Sequence, residues 1–481
     1  MLASVLAFLA CAPPPAVETG TVDVRVDHNG QDDKVESTLP VTCQSKDGAL
    51  YAAWQDARNG EEAIWFNASA DGGKSWFIGD IKVNIGKAPA RNPTIGCDDD
   101  RVYVAWEDIR DGAYAYPSIY MNTSDNNGRD WLEEDFAIDG DPDGLHESHA
   151  PSLTAAGSSV YVAWADNTDG AYDIHVQASN DGGATWLAAP SRADADEAGA
   201  AYSAQPRIAA DTDGNVLVVW EDSRGGKVDI YANWSDDNAG TFQAEDSRLD
   251  LGDESGASDS FTAALAMNGG YAWVVWHDFR YGEKRDILFN VSDNQGHSWK
   301  EKAGRVEDDA EGIADSLNPA VASDGGTAHI AWQDDRSGGY DIFYRRVDNG
   351  GSAWGTDEIR VDTDEQGQAQ SYNPVVFAAS DTVVVGWQEE RNDGKAVHFN
   401  DVYYNFSTNS GRGWAEEDVR INSGEPGAAY TVDLSLYFFS GAVRSVWCDG
   451  RYGSGDIVSA QRDLGEPSIW IAPEEDSGTA K

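Results

Sequence analysis

Eight times along this chain an apolar, strand-like run ends in Trp-x-Asp or Trp-x-Glu, at Trp54, Trp106, Trp164, Trp220, Trp276, Trp332, Trp387 and Trp447. The fullest copy reads Val102-Tyr103-Val104-Ala105-Trp106-Glu107-Asp108-Ile109-Arg110. The tryptophans are 52 to 60 residues apart over 481 residues. A fixed period of this order marks a propeller or another array of stacked units, because one unit alone cannot bury its apolar faces. Three further strand-like runs flank each Trp run. The first follows a loop and often a proline, as in Pro93-Thr94-Ile95 or Pro374-Val375-Val376. The third resembles Asp229-Ile230-Tyr231 or Asp341-Ile342-Phe343. β-Branched and aromatic residues in alternation read as strands throughout, and no run reads as a helix.

Between the third and fourth runs lies a turn. Ser69-Ala70-Asp71-Gly72-Gly73-Lys74-Ser75-Trp76 has the pattern Ser-x-Asp-x-Gly-x-x-Trp, repeated in full at Ser179–Trp186 and in weaker form at Ser124–Trp131, Ser235–Phe242, Ser292–Trp299, Val347–Trp354 and Ser407–Trp414. An Asp or Asn side chain here caps its own turn and glycine takes the positive φ, so the motif is a folding device. Six residues past each closing aromatic a fourth run begins at Lys82, Ala137, Arg192, Arg248, Arg305, Arg360 or Arg420. That makes seven fourth strands for eight Trp strands. The missing copy stands near the N-terminus, Val24-Arg25-Val26-Asp27. An all-β, eight-bladed propeller of four-stranded blades follows, its ring closed by the N-terminal strand; six or seven blades are the alternatives. Closure leaves no long sheet edge exposed.

The turn motif is the Asp-box, or BNR repeat. With the four-strand period and the Trp-x-Asp-x-Arg run, residues 21–463 resemble the sialidase-like superfamily of propellers. That resemblance implies the fold, and it implies either binding or an exo-acting glycoside hydrolase of sialidase type working on acidic sugars. Sialidases of this superfamily are six-bladed as a rule. They grip a carboxylate with three arginines and use a Tyr/Glu pair and an Asp. The nearest match to their first arginine motif is Arg91-Asn92-Pro93, on the second repeat and with Asn where Ile is expected. No residues are assigned to the remaining catalytic roles.

The repeated loop places Asp56/Arg58, Asp108/Arg110, Asp222/Arg224, Asp278/Arg280, Asp334/Arg336, Glu389/Arg391 and Asp449/Arg451 on one face; the third repeat keeps Asp166 but has Thr168 in place of Arg. Repetition in nearly every blade reads as a structural clamp. The departures from the repeat mark the candidate ligand site: Lys87 and Arg91 in a shortened connection near Arg58 and Arg110, Tyr114 and Tyr116 in a lengthened loop after Arg110, and His398 in a lengthened loop after Arg391. His146-Glu147-Ser148-His149 has the residue types of a metal site, but no metal ligand set is assigned to it.

The chain carries 84 acidic against 34 basic residues, a formal net charge of −50. Nucleic acid is excluded as a partner, since phosphate backbones demand a basic surface. Most of the acidity reads as a solvated coat, with Ca²⁺ left open as a ligand. Residues 1–11 resemble a bacterial lipoprotein signal, in which Phe8-Leu9-Ala10 precedes a lipidated Cys11; an ordinary secretory signal is the alternative. Residues 12–20 read as a tether and 464–481 as a tail. The expectation is an exported monomer held to the envelope by lipid alone and binding an extracellular glycan or protein. Cys43 and Cys97 stand at nearly matching places in the first two repeats, so a disulfide between them is one reading; pairing of either with Cys448 is another.

Overall fold

The computed structural model describes residues 23–28, 35–110, 116–141, 144–391, 399–451, 455–464 and 469–471. Cys11 with the leader and tether, Tyr114 and His398 lie outside them. The described residues form eight antiparallel blades and contain no helix. Blade 1 comprises Ser37–Gln44, Leu50–Asp56, Ala63–Ser69 and Ile81–Lys82, in sequence order from first strand to fourth. The next six blades repeat this order, starting at Ala90, Ser148, Ser203, Ser260, Ser316 and Ser371. Blade 8 takes Thr431–Phe439, Ala442–Asp449 and Asp456–Asp463 from the C-terminal end and Val24–Arg25 from the N-terminal end. The closing strand runs antiparallel, with Val24 opposite Ser459 and Arg25 opposite Val458. Beyond the eighth blade, Ile469–Ile471 pairs with Gly413–Ala415 of blade 7, so part of the expected tail is a strand.

The apolar content of the second and third strands is explained by burial on both faces. Eight apolar clusters fill the eight blade interfaces, each drawn mainly from two successive blades. Each repeat tryptophan is fully buried in the interface with the preceding blade, Trp54 against blade 8 and Trp106 against blade 1. Cys43 and Cys97 are disulfide-bonded, joining the first strands of blades 1 and 2, and Cys448 is free and buried.

The Asp-box turns are built from their own side chains. Ser69 Oγ accepts from the Gly73 amide at 2.7 Å and donates to Asp71 Oδ1 at 2.8 Å, while Asp71 Oδ1 accepts from the Ser75 amide at 2.9 Å. Register then fixes the faces. Ser37 pairs with Asp56 at one end of blade 1, and Leu50 pairs with Ser69 at the other. The Trp-x-Asp loops therefore sit opposite the Asp-boxes.

The prolines behave differently from the sequence reading. They do not begin the first strand but lie inside it, as the second residue of a bulge. All eight first strands shift register at this point, between Thr38 and Val41, Arg91 and Thr94, His149 and Ser152, and their counterparts. The residue before the proline position has φ near +50°, as at Leu39, Asn92, Ala150, Gln205 and Thr262. A bulge leaves one residue out of the ladder, which is where a proline without an N–H fits a strand.

Candidate functional site at the channel mouth

First strands of successive blades neighbour one another around the whole ring and so line the axial channel. At the Trp-x-Asp end, the clamp seen in seven blades is self-contained. Arg224 Nη2 donates to Asp222 Oδ2 at 2.5 Å, and Nη1 to Asp246 Oδ2 at 2.6 Å. Its guanidinium carbon lies 4.2 Å from the Tyr231 ring centroid. Arg58 makes the same set with Asp56, Asp80 and Trp65; Arg110 with Asp108, Asp135 and Tyr120; Arg391 with Glu389, Asp418 and Tyr403. Arg280, Arg336 and Arg451 are bound likewise to Asp278, Asp334 and Asp449. Arg336 also has Glu358 and the Phe343 ring and Arg451 has Asp23, whereas Arg280 completes its set with the Asp250 and Leu251 carbonyls; forks engaged in this way are committed to their own loops.

The blades differ at the rim pair, the second residue of the first strand and the residue x of Trp-x-Asp opposite it. These pairs are Thr38/Gln55, Arg91/Glu107, His149/Ala165, Ala204/Glu221, Phe261/His277, Leu317/Gln333, Tyr372/Gln388 and Val432/Cys448. Residue x also staples blades together: the bulge amides of Asn92, Ala150, Thr262 and Asn373 donate to Gln55, Glu107, Glu221 and Gln333 at 2.8–3.0 Å. Blades 2 to 4 carry the charged and tyrosine-rich sector. Here a cavity of about 800 Å³ opens, lined by Asn92, Glu107, His149, Tyr172, Tyr202 and Arg207 with bulge residues of blades 1 to 4 and 8.

Within it His149 stands between two carboxylates, with Nδ1 3.6 Å from Glu107 and Nε2 3.6 Å from Glu147. Tyr172 donates its hydroxyl to Glu147 and meets Tyr202 edge to face, centroids 5.3 Å apart. Tyr202 is 53% exposed. Glu107 raises the imidazole's affinity for its proton above the ordinary histidine value, against the effect of burial. Burial opposes ionisation of Glu107, yet the His149 contact and the Ala150 amide hold its carboxyl below the usual range. Burial, with Glu147 beside it, pushes the Tyr172 phenol up.

Of the residues singled out from sequence, Arg91 belongs to this rim, with Nε 3.9 Å from Glu107. Lys87 is exposed, and Tyr116 is half-buried next to the third strand of blade 2. Arg58, Arg110 and Arg391 belong to clamps of blades 1, 2 and 7 and do not line the cavity. The His146–His149 run is split, for His146 lines a different cavity from His149. Sequence reading missed Glu107, Tyr172 and Tyr202 as a group. They are distant in the chain, and only the register of three blades brings them together.

Two carboxylate triads, Asp173/Asp194/Asp196 and Asp341/Asp362/Asp364, have the spacing of a cation site. An arginine already stands in each. Arg192 lies 2.9 Å from Asp173, 2.9 Å from Asp194 and 2.6 Å from Asp196, and Arg360 contacts the second triad at 3.1–3.4 Å.

No family profile and no curated protein sequence matches the chain. Solved structures do resemble it. The polysaccharide lyase Uly1 aligns over 92% of this chain and all of its own, with a TM-score of 0.50 at 9% identity. An α-L-arabinanase of Penicillium chrysogenum covers 76% of this chain and 92% of its own (TM-score 0.37, 14% identity), and the NanB sialidase of Streptococcus pneumoniae 76% and 67% (0.38, 11%). The likeness is one of fold.

Proposed function

We propose that the protein is an exported, lipid-anchored propeller that binds an extracellular glycan at the mouth of its channel, over blades 2 to 4. The observation that carries this reading is the cavity of about 800 Å³ walled by Tyr172 and Tyr202 and edged by Asn92, Glu107, His149 and Arg207. An exposed ring beside planar amide, carboxylate and guanidinium groups suits a sugar, whose C–H face needs an apolar wall and whose hydroxyls need paired acceptors and donors. The polysaccharide lyase of similar fold is named for a ligand of this class. Calorimetric titration of the purified chain with neutral and acidic polysaccharides tests the proposal. Tyr202→Ala should weaken binding about tenfold, the worth of one aromatic contact. Binding that survives both Tyr202→Ala and Tyr172→Ala would sink it.

One observation favours a second reading, hydrolysis of a glycoside. Glu107, His149, Glu147 and Tyr172 form a continuous set of proton-exchanging groups at the cavity wall. Among the described residues that cavity is lined by a single arginine, Arg207, so the set does not have the three-arginine grip of a sialidase. Release of reducing ends from a bound glycan, abolished by Glu147→Gln with binding retained, would replace the binding reading by the hydrolytic one.

A further inference from the structure

Blade 3 is the one blade whose clamp is missing, and the loss is complete. Where blades 1, 2, 4, 6 and 7 have Arg, an aromatic of the third strand and an acid four residues past the Asp-box aromatic, blade 3 has Thr168, His175 and Pro190; blades 5 and 8 keep the arginine but carry Leu288 and Val458 in place of the aromatic, and blade 5 has Ala303 in place of the second acid. The space left is a cavity of about 720 Å³ between blades 2 and 3, lined by Thr168, His175, Pro190, Asp139, Asp166 and Trp186 among others.

Two acids in this cavity have lost their cations. Asp166 is 2% exposed. Its counterparts in the other seven blades each ion-pair with the arginine two residues on, as Asp56 does with Arg58 at 2.7 Å and Asp278 with Arg280 at 2.6 Å. Asp166 has only neutral donors in its place: Ser148 Oγ at 2.9 Å and the Thr168 amide at 2.8 Å. Asp139 lies two residues past the fourth strand of blade 2, Phe136–Ala137. The five other acids at that position, Asp27, Asp194, Asp250, Glu307 and Asp362, each stand beside the arginine two residues earlier, at 2.7–3.4 Å. Asp139 has Ala137 there instead. Burial first, and Asp166 nearby, push its carboxyl up to about 6. His175 does not make up the deficit, because burial lowers its proton affinity below the ordinary histidine value.

A buried carboxylate without a partner is costly, and the rest of this ring answers each with a guanidinium. We propose that the blade 2–3 cavity binds the guanidinium or ammonium group of an external ligand, which takes the place of the arginine that the other seven blades supply from their own chain. Asp166 and Asp139 receive the cation, and His175 and Trp186 give it flat walls of the kind that Tyr231 and Trp65 give Arg224 and Arg58. The cavity is wider than one guanidinium, so the group arrives on a larger molecule. An arginine-bearing peptide and an amino sugar share this chemistry.

The test is calorimetric titration of the full chain with agmatine and with glucosamine at low salt. Agmatine binding alone identifies a guanidinium ligand, and glucosamine binding an amino sugar. Either should weaken at least about tenfold in Asp166→Asn, the loss expected for a charge-assisted contact. The double variant Thr168→Arg/Pro190→Asp rebuilds the internal clamp. It should abolish binding of both probes while its unfolding midpoint stays at or above that of the parent, which separates occlusion from misfolding. Failure of both probes to bind, or binding unchanged in a folded Thr168→Arg/Pro190→Asp variant, overturns the proposal.

Discussion

Replacing Asp194 by Asn should make this protein more stable in neutral solution, although it removes a buried ion pair. Asp194 is 3% exposed and shares one guanidinium, Arg192, with Asp173 and Asp196. One positive charge cannot balance three carboxylates. Burial, only partly offset by Arg192, pushes the Asp194 carboxyl from 3.8 up to about 7. In the unfolded chain the group titrates near its ordinary value, so between about pH 4 and pH 7 the folded state binds the extra proton. Its contribution is therefore fully present below pH 4 and is lost as pH rises through 7. At about 1.4 kcal/mol per pKa unit, three units amount to an upper figure of about 4 kcal/mol. Asn cannot ionise and keeps the shape. The same slot holds Asn84 in blade 1, accepting from the Ile64 amide at 2.9 Å, and Asn422 in blade 7, accepting from the Val402 amide at 3.0 Å and donating to Asp401 at 2.7 Å. Urea midpoints followed by tryptophan fluorescence, for parent and Asp194→Asn at pH 4 and pH 8, give the double difference that isolates this group. The variant should match the parent at pH 4 and exceed it at pH 8. A variant less stable than its parent at pH 8 would show that the Arg192 attraction outweighs desolvation and would refute the reasoning.

Three further outcomes are expected. Cys43→Ser/Cys97→Ser should lower stability by about 4 kcal/mol on a chain-entropy estimate for a loop of this length, read as a fall in urea midpoint that the reduced parent reproduces. Deleting residues 1–28 removes the Val24–Arg25 strand, bares Asp456–Asp463 as an edge and leaves Asp456 without Arg25; the product should aggregate on a sizing column, and a stable monomer would contradict ring closure by this strand. Ser69→Ala breaks one Asp-box turn and should cost about 1 kcal/mol while leaving glycan affinity untouched, since the turn lies on the opposite face; a loss of affinity would place the binding site wrongly.

The ring was readable in the chain because every blade repeats the same local chemistry. Seven fourth strands against eight Trp strands point to Val24-Arg25-Val26-Asp27 as the missing member, and the pairing of Val24 with Ser459 follows. The bulges were not readable as bulges. Ser148-His149-Ala150-Pro151 looks like a loop and a strand start, and only register shows that Ala150 carries φ of +52° inside a strand. The mouth cavity was hidden for a related reason. Arg91 stands out in the sequence as a basic spot, but Glu107 reads as one more variable residue inside the repeated Trp-x-Asp run until it is placed opposite Arg91 and beside His149.

Repetition also changes what a single substitution means. Thr168 in place of arginine is, by itself, one exposed loop residue. Beside His175, Pro190 and Ala137 it belongs to a coordinated loss that strips both cations from one blade interface and leaves Asp139 and Asp166 facing a cavity. Blade 5 has a partial loss, with Leu288 and Ala303 in place of the ring and second acid, yet it keeps Arg280 on Asp278. In blade 3 the arginine at 168, its stacking ring at 175, its second acid at 190 and the neighbouring strand's arginine at 137 are all replaced, while the two acids that most need a cation remain. A site that keeps its buried carboxylates with neutral donors and discards both arginines suits a cation from outside, so in this ring the position to test first is the blade that lacks the clamp arginine.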